Sequence, residues 1–278
     1  MKRFILLILP MTVLLGSCKE SMTWSRVSMK TERTGVVASN ASNVAQAMGT
    51  ITDSIYTAPN GKVFAKGTAT YAVAKDLIGA QPAMSELKSV IGYSTREMRK
   101  EKPESALSDW FIDALMRAAE AKSGKKVDVG ITNFGGIRVD MPGGEILKDD
   151  IVSMFPFKNC LCYVELAGKE VRALLEQFAQ TGWQVVGGAR CVVKDKKLVS
   201  AEIDGKPIDD NRIYGVATIS FLLNGGDDIF VARNAKRLEI YDDILIIDVM
   251  LPYVLQLTAE GKPVEYETDG RIQIINEN

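Results

Sequence analysis

PESALSDWFIDALMRAAEAKSGKKVDVGITNFGGIR, residues 103–138, reads as a helix, a strand and a glycine turn in direct succession. Pro103-Glu104-Ser105 breaks the chain and opens a helix. Leu107, Trp110, Phe111, Ala114, Leu115 and Ala118 then recur at i, i+3, i+4 and i+7, which gives one apolar face over three turns. Gly124 ends the helix. Val127 to Thr132 is a short apolar strand that runs straight into Asn133-Phe134-Gly135-Gly136-Ile137-Arg138. Upstream, a helix is expected over 66–86, through Tyr71, Val73, Ala74, Leu77 and Ile78, and a strand from Leu87 to Tyr93.

Downstream, a Gly-Gly turn at 143–144 leads into an expected helix from Ile146 to Met154 and a strand from Asn159 to Leu166. Lys169 to Gln180 is an amphipathic helix with Val171, Leu174, Leu175 and Phe178 on one face. Val185–Val193, Leu198–Ile203 and Ile213–Thr218 are expected strands, joined by turns at Lys194-Asp195 and Asp204-Gly205. A Gly-rich loop over Ser220–Asp228, a helix from Ile244 to Leu257 and a closing strand from Arg271 to Ile275 complete the chain. Helices and strands alternate irregularly and several strands are hairpin neighbours. The expected fold is α+β, a single domain over 61–278 with a mixed β-sheet and flanking helices.

The 278 residues hold 34 Lys+Arg and 35 Asp+Glu, with 46% apolar and 25% charged residues, which is enough apolar sequence for a packed core. A formal net charge of −1 argues against a partner that is a nucleic-acid polymer. The chain has no histidine. That excludes Ser-His-Asp and Cys-His catalysis, an imidazole base, and zinc or iron held by histidine.

Lys2 and Arg3 precede an apolar run from Phe4 to Leu15, the pattern of a secretory leader. Leu15-Gly16-Ser17-Cys18 resembles a bacterial lipobox, so residues 1–17 are expected to be a lipoprotein signal peptide and Cys18 the lipidation site. The alternative is a plain signal peptide. Residues 18–60, rich in Ser, Thr, Asn and Ala, are expected to be a tether and an irregular N-terminal segment. The expected location is extracytoplasmic, in the periplasm or at the cell surface of a bacterium, with the membrane reached through the lipid anchor only. Cys160, Cys162 and Cys191 remain, and small buried thiols are expected in preference to a disulfide.

Three constellations carry chemistry. Asn133 to Arg138 leaves a strand through Gly135 and Gly136, which lets a ligand approach the main chain, and Arg138 offers planar donors for a phosphate or carboxylate. Phe155-Pro156-Phe157-Lys158-Asn159 places Phe157 on a stiffened segment where it can stack a planar base, while Phe155 reads as core. Phe221-Leu222-Leu223-Asn224-Gly225-Gly226-Asp227-Asp228 sets an aromatic before a turn and two carboxylates that can bond a ribose diol. In each case the alternative is an ordinary turn, core ring or solvated acid.

Together, N-x-GGIR, PF-x-N and FL-x-NGGD resemble the C-terminal domain of the 5'-nucleotidase family. Val90-Ile91-Gly92, the Glu104-Ser105-Ala106-Leu107 helix start and Asp113-Ala114 extend the resemblance over about residues 87–275. The resemblance implies that this domain grips the nucleoside part of a nucleotide. Phe157 and Phe221 would sandwich the base, Asn133 would contact it, Asp227 would hold the ribose hydroxyls, and Arg138 would face the phosphate side. Gly135, Gly136 and Asn224 would shape the same site. Where the family carries a further arginine, this chain reads Arg99-Lys100-Glu101-Lys102-Pro103.

Full-length members also carry a metallophosphatase domain whose two divalent metals are held partly by histidine. This chain has no histidine to supply it. The implied activity is nucleotide or nucleoside recognition together with a separately encoded metallophosphatase, which would hold the metals; no cofactor and no catalytic residue is expected on this chain. The alternatives are a non-catalytic nucleoside-binding lipoprotein and a lone hydrolase using Asp227, Asp228, Asp149 and Asp150.

Overall fold

The computed structural model describes residues 42–275; the expected leader, Cys18 and the first part of the tether lie outside them. The chain runs α1 (Val44–Met48), β1 (Thr50–Ile51), β2 (Ile55–Thr57), β3 (Val63–Ala65), α2 (Ala69–Met84), β4 (Val90–Ser94), α3 (Ala106–Ser123) and β5 (Val129–Thr132). It continues through β6 (Gly144–Leu147), α4 (Lys148–Met154), β7 (Cys160–Ala167), α5 (Gly168–Thr181), β8 (Val185–Gly187), β9 (Ala189–Lys194) and β10 (Lys197–Ile203). β11 (Lys206–Pro207), β12 (Ile213–Ile219), β13 (Arg237–Leu245), α6 (Ile246–Ala259) and β14 (Ile272–Ile275) complete it.

The central sheet has the order β13-β7-β12-β5-β8, with β12 and β5 parallel and the other pairs antiparallel. A second sheet has the order β11-β10-β9-β14, with β14 parallel to β9, and β4 pairs with β6. This is the expected α+β fold with mixed sheets.

α3 is seated on the central sheet. Ser105 Oγ accepts from the Ser108 amide at 3.2 Å and Ser108 Oγ accepts from the Ser105 amide at 3.0 Å, so the first orphan donors of the helix are satisfied. Gly124 closes the other end at φ 66°. Leu107, Trp110, Phe111, Ile112 and Leu115 are buried beneath it. Gly130 of β5 and Gly187 of β8 stand directly opposite one another in the sheet. A Cβ on Gly130 would lie 2.6 Å from Ile112 Cγ1, and one on Gly187 2.8 Å from Met116 Sδ. The bare backbone of this pair lets the helix approach closely.

The sequence reading differs from the structure in several places, beyond the strand expected from Leu87, which begins at Val90, and the short strands β3 and β11. The helix expected from Ile146 begins only at Lys148, because Ile146 and Leu147 are buried in β6 and the Asp150 carboxylate accepts the Leu147 amide at 2.7 Å, capping the helix there. The single strand expected from Val185 to Val193 breaks at Gly188. This residue has φ 72° and no room for a Cβ, which would lie 2.2 Å from the Asp128 carbonyl oxygen. β8 therefore joins one sheet and β9 the other. β13 was not anticipated; it is an edge strand whose charged residues Arg237, Glu239, Asp242 and Asp243 hide its pairing with β7. It also takes Ile244 and Leu245 from the start of the expected last helix. Finally, part of the segment expected to be irregular forms α1 and the meander of β1 and β2.

Cys160, Cys162 and Cys191 are free thiols, and burial pushes Cys162 and Cys191 up to about 12. The closing strand is tied to α3 by Arg271, which is buried. Its guanidinium donates to Asp113 at 2.8 and 3.0 Å and to Asp269 at 3.0 Å, with Asp109 at 3.7 Å. The Glu104 carboxylate accepts the amides of Asp269, Gly270 and Ile272. Three acids thus face one cation, and a fourth, Glu104, holds the backbone beside it. Burial pushes the Asp109 carboxyl up to about 8 against the opposing pull of Arg271, and Glu104 and Asp113 add to the rise.

Two outcomes are expected. Gly130→Ala should lower stability by about 1–3 kcal/mol in denaturant unfolding, as overpacking does; an unchanged midpoint would remove the seat from the account. Asp109 takes up its proton more readily folded than unfolded. Its contribution is complete below the unfolded carboxylate range of about 4 and is lost as pH rises through about 8. Asp109→Asn should therefore gain stability relative to the parent as pH climbs across that window, read from urea midpoints at each pH. A difference independent of pH would contradict the assignment.

Candidate functional site

Three loops meet at one end of the central sheet. β5 and β12 are parallel, so both deliver their C-terminal loops to the same end. β7 is antiparallel to β12, with Leu161 opposite Ile219, so the segment entering β7 arrives there too. These are the loops of Asn133–Arg138, Ser220–Asp228 and Phe157–Asn159. They enclose a cleft of about 230 Å³ lined by Asn133, Gly135, Gly136, Arg138, Phe157, Asn159, Phe221 and Asp227. Seven of the eight residues expected for binding therefore converge. Asn224 is exposed in its loop and does not line the cleft.

The two rings differ from every core phenylalanine nearby. Phe155 is buried against Phe111 with ring centroids 4.6 Å apart, whereas Phe157 and Phe221 are 45% and 44% exposed. Both present apolar surface to the cleft. The Arg138 guanidinium lies 5.6 Å from the centre of the Phe157 ring and donates weakly to the Gly135 carbonyl at 3.4 Å. The turn itself is held from outside the cleft. The Phe134 amide donates to Gln184 Oε1 at 3.2 Å, and Lys102 stands 5.4 Å over the Phe134 ring.

Asn133 is buried, and its Nδ2 donates to Asp227 Oδ2 at 2.6 Å, a charge-assisted bond between residues 94 positions apart. Its Oδ1 is buried with no hydrogen-bond partner among the described residues. The side chain folds beneath the turn, where Cβ atoms on Gly135 and Gly136 would come within 3.1 and 3.0 Å of its amide. Asp227 and Asp228 both hold the left-handed backbone, at φ 53° and 60°, and the Asp228 carbonyl accepts from Gln177 of α5 at 2.8 Å. One amide side chain therefore links the glycine turn to the carboxylate loop. Asn159, which had entered only as the last residue of PF-x-N, lines the cleft beside Phe157.

Chemically the cleft offers two open aromatic faces, one guanidinium, one carboxylate and two amides. Asp227 is the one carboxylate among the lining residues. Asp149 and Asp150 lie on α4, where Asp149 accepts from Ser153 at 3.4 Å and Asp150 caps the helix. Oxygens of Glu104, Asp109 and Asp269 lie within 4.8 Å of one another. They do not fit a divalent metal, because Arg271 and three backbone amides already occupy that cluster.

Residues 85–233 match the family 5'-nucleotidase, C-terminal domain. Protein UshA of Salmonella pullorum is 32% identical over 118 residues, 41% of this chain and 21% of that protein. Cell wall protein Lmo0130 of Listeria monocytogenes is 29% identical over 203 residues, 66% of this chain and 26% of that protein. The crystal structure of a 5'-nucleotidase precursor from Thermus thermophilus superposes with a TM-score of 0.66 at 26% identity, covering 75% of this chain and 44% of that one. The chain thus spans less than half the length of these relatives.

The link across the cleft is open to a double-mutant cycle. Asn133→Ala and Asp227→Ala are expected to be coupled by about 0.5–3 kcal/mol in unfolding free energy, the double variant losing less than the two singles together. Strict additivity would show that the bond does not tie the loops.

Proposed function

The chain belongs to the 5'-nucleotidase family through its C-terminal domain, and from that premise we propose that it is the nucleotide-recognition half of a split, extracytoplasmic 5'-nucleotidase. The observation that carries this reading is the pair of half-exposed rings, Phe157 and Phe221, opening on a cleft that also holds Arg138 and Asp227. The rings stack the base from its two faces. Asp227, held by Asn133, accepts the ribose hydroxyls. Asn133 acts from beneath the turn by holding Asp227, and Asn159 adds an amide at the base. Arg138 faces the phosphate.

A separately encoded metallophosphatase supplies two divalent metals, which activate water and stabilise charge on the phosphoryl group. This chain contributes position: it fixes the nucleoside so that the phosphate is presented in one orientation, which converts a bimolecular search into a local one. Leu15-Gly16-Ser17-Cys18 supports lipidation at Cys18 and a tethered domain outside the cytoplasm. No helix among the described residues is long and apolar enough to cross a membrane. A second reading, a nucleoside-binding lipoprotein without a catalytic partner, is favoured by the lining itself, in which Asp227 is the only acid and no base accompanies it.

Calorimetry with AMP, adenosine and inorganic phosphate separates the two readings. The split enzyme predicts AMP binding tighter than adenosine, with Arg138→Ala removing the difference. Phe157→Ala and Phe221→Ala should each weaken both ligands by about 1–3 kcal/mol. Equal affinity for AMP and adenosine favours the lipoprotein without a partner, and unchanged affinity in both ring variants overturns the clamp. Phosphate release from AMP by this chain alone would overturn the split enzyme.

A further inference from the structure

A small chamber lies behind the Phe157 ring. Phe111, Phe155, Ile219 and Ile246 form its apolar walls, and Thr132 and Asn159 bring polar side chains to it. Gly136, Phe157 and Asn159 line both the chamber and the cleft, so the two spaces share a wall.

Thr132 is the last residue of β5, directly before the Asn133 turn. It is fully buried, and its hydroxyl has no hydrogen-bond partner among the described residues. Side chains alternate along a strand, so Thr132 shares the face of Gly130, against which Ile112 of α3 packs. Phe111 of α3 reaches the chamber from that side. In such surroundings a valine would fill nearly the same volume, and a buried hydroxyl without a partner costs free energy. A threonine here therefore calls for a polar partner, and the chamber is the space in which one fits.

The size of the chamber says what that partner is. Its volume of about 10 Å³ is close to what one water needs, and it is too small for any part of a base. A buried water makes about three hydrogen bonds. Thr132 Oγ1 and the Asn159 amide supply two, and the shared wall leaves the third for the cleft. We propose that Thr132 determines base specificity through a water relay: it holds one water against Asn159, and water and amide together bond the edge of a heteroaromatic base stacked on Phe157. This deepens the nucleotide-recognition reading above and rests on it. Stacking accepts any planar ring, because every base has a π-face. The relay adds a preference for rings whose edge carries nitrogen donors and acceptors. Thr132 acts through the water and Asn159, so it is a positioning residue.

The test compares AMP with indole riboside 5'-phosphate by calorimetry on the full mature chain. The analogue stacks and keeps the ribose and phosphate, but its edge carries no ring nitrogen and no amino group. Thr132→Val should weaken AMP about five- to tenfold, the loss of one hydrogen bond, and leave the analogue unchanged. Thr132→Ser, which keeps the hydroxyl, should keep the parent's preference for AMP. A high-resolution crystal structure of the parent chain with AMP should show one water within hydrogen-bond distance of Thr132 Oγ1, the Asn159 side chain and the base. A dry chamber overturns the relay, whether or not Thr132→Val folds. Equal losses for both ligands in Thr132→Val would show a packing role and overturn it too. If the parent chain ignores AMP, the nucleotide-recognition reading falls and the relay with it. If the parent binds AMP and Thr132→Val binds it equally, the relay alone falls.

Discussion

The close approach of α3 to the paired glycines Gly130 and Gly187 is the contact on which the rest of the structure depends. Any side chain at either position would push Ile112 and Met116 outward. With the helix seated, β5 is held between β12 and β8, and its end at Thr132 fixes where the Asn133 turn begins. The same helix carries Asp109 and Asp113, which hold Arg271 and so anchor the closing strand. One helix thus positions both the cleft and the end of the fold.

The cleft then follows from sheet direction. Two parallel strands and one antiparallel strand bring three loops to a single end, and side chains far apart in sequence become neighbours. The Asn133–Asp227 bond is the tightest of these long-range links at the cleft. It secures a carboxylate whose backbone is in a sparsely populated conformation, which keeps its acceptor pre-set for a ligand. Phe157 and Phe221 leave half-exposed apolar rings at this cleft, which is where the proposed base would stack.

Local signals in the sequence were legible because local chemistry sets them. The spacing of Leu107, Trp110 and Phe111, the Ser105 cap and Gly124 give α3 almost to the residue. Phe157, Phe221, Arg138 and Asp227 were visible because their residue types stand in short motifs. What depended on tertiary contacts was hidden. β13 carries charges along an exposed edge, so its pattern resembles a loop. Ile146 and Leu147 fit a helix as well as a strand until Asp150 is seen to cap the chain after them. Gly188 looks like one of two strand glycines until the Asp128 carbonyl denies it a Cβ. The role of Asn133 in holding Asp227 spans 94 positions and has no local trace.

The central claim is that a nucleotide base sits between Phe157 and Phe221. Saturation-transfer NMR with AMP, irradiating the aromatic protons of the protein, tests it most directly. The account predicts the strongest transfer to the adenine H8 and H2 protons, weaker transfer to the ribose, and loss of the base signals in the Phe157→Ala/Phe221→Ala double variant. Base transfer that persists undiminished in that variant, or no transfer from the parent chain, would contradict it.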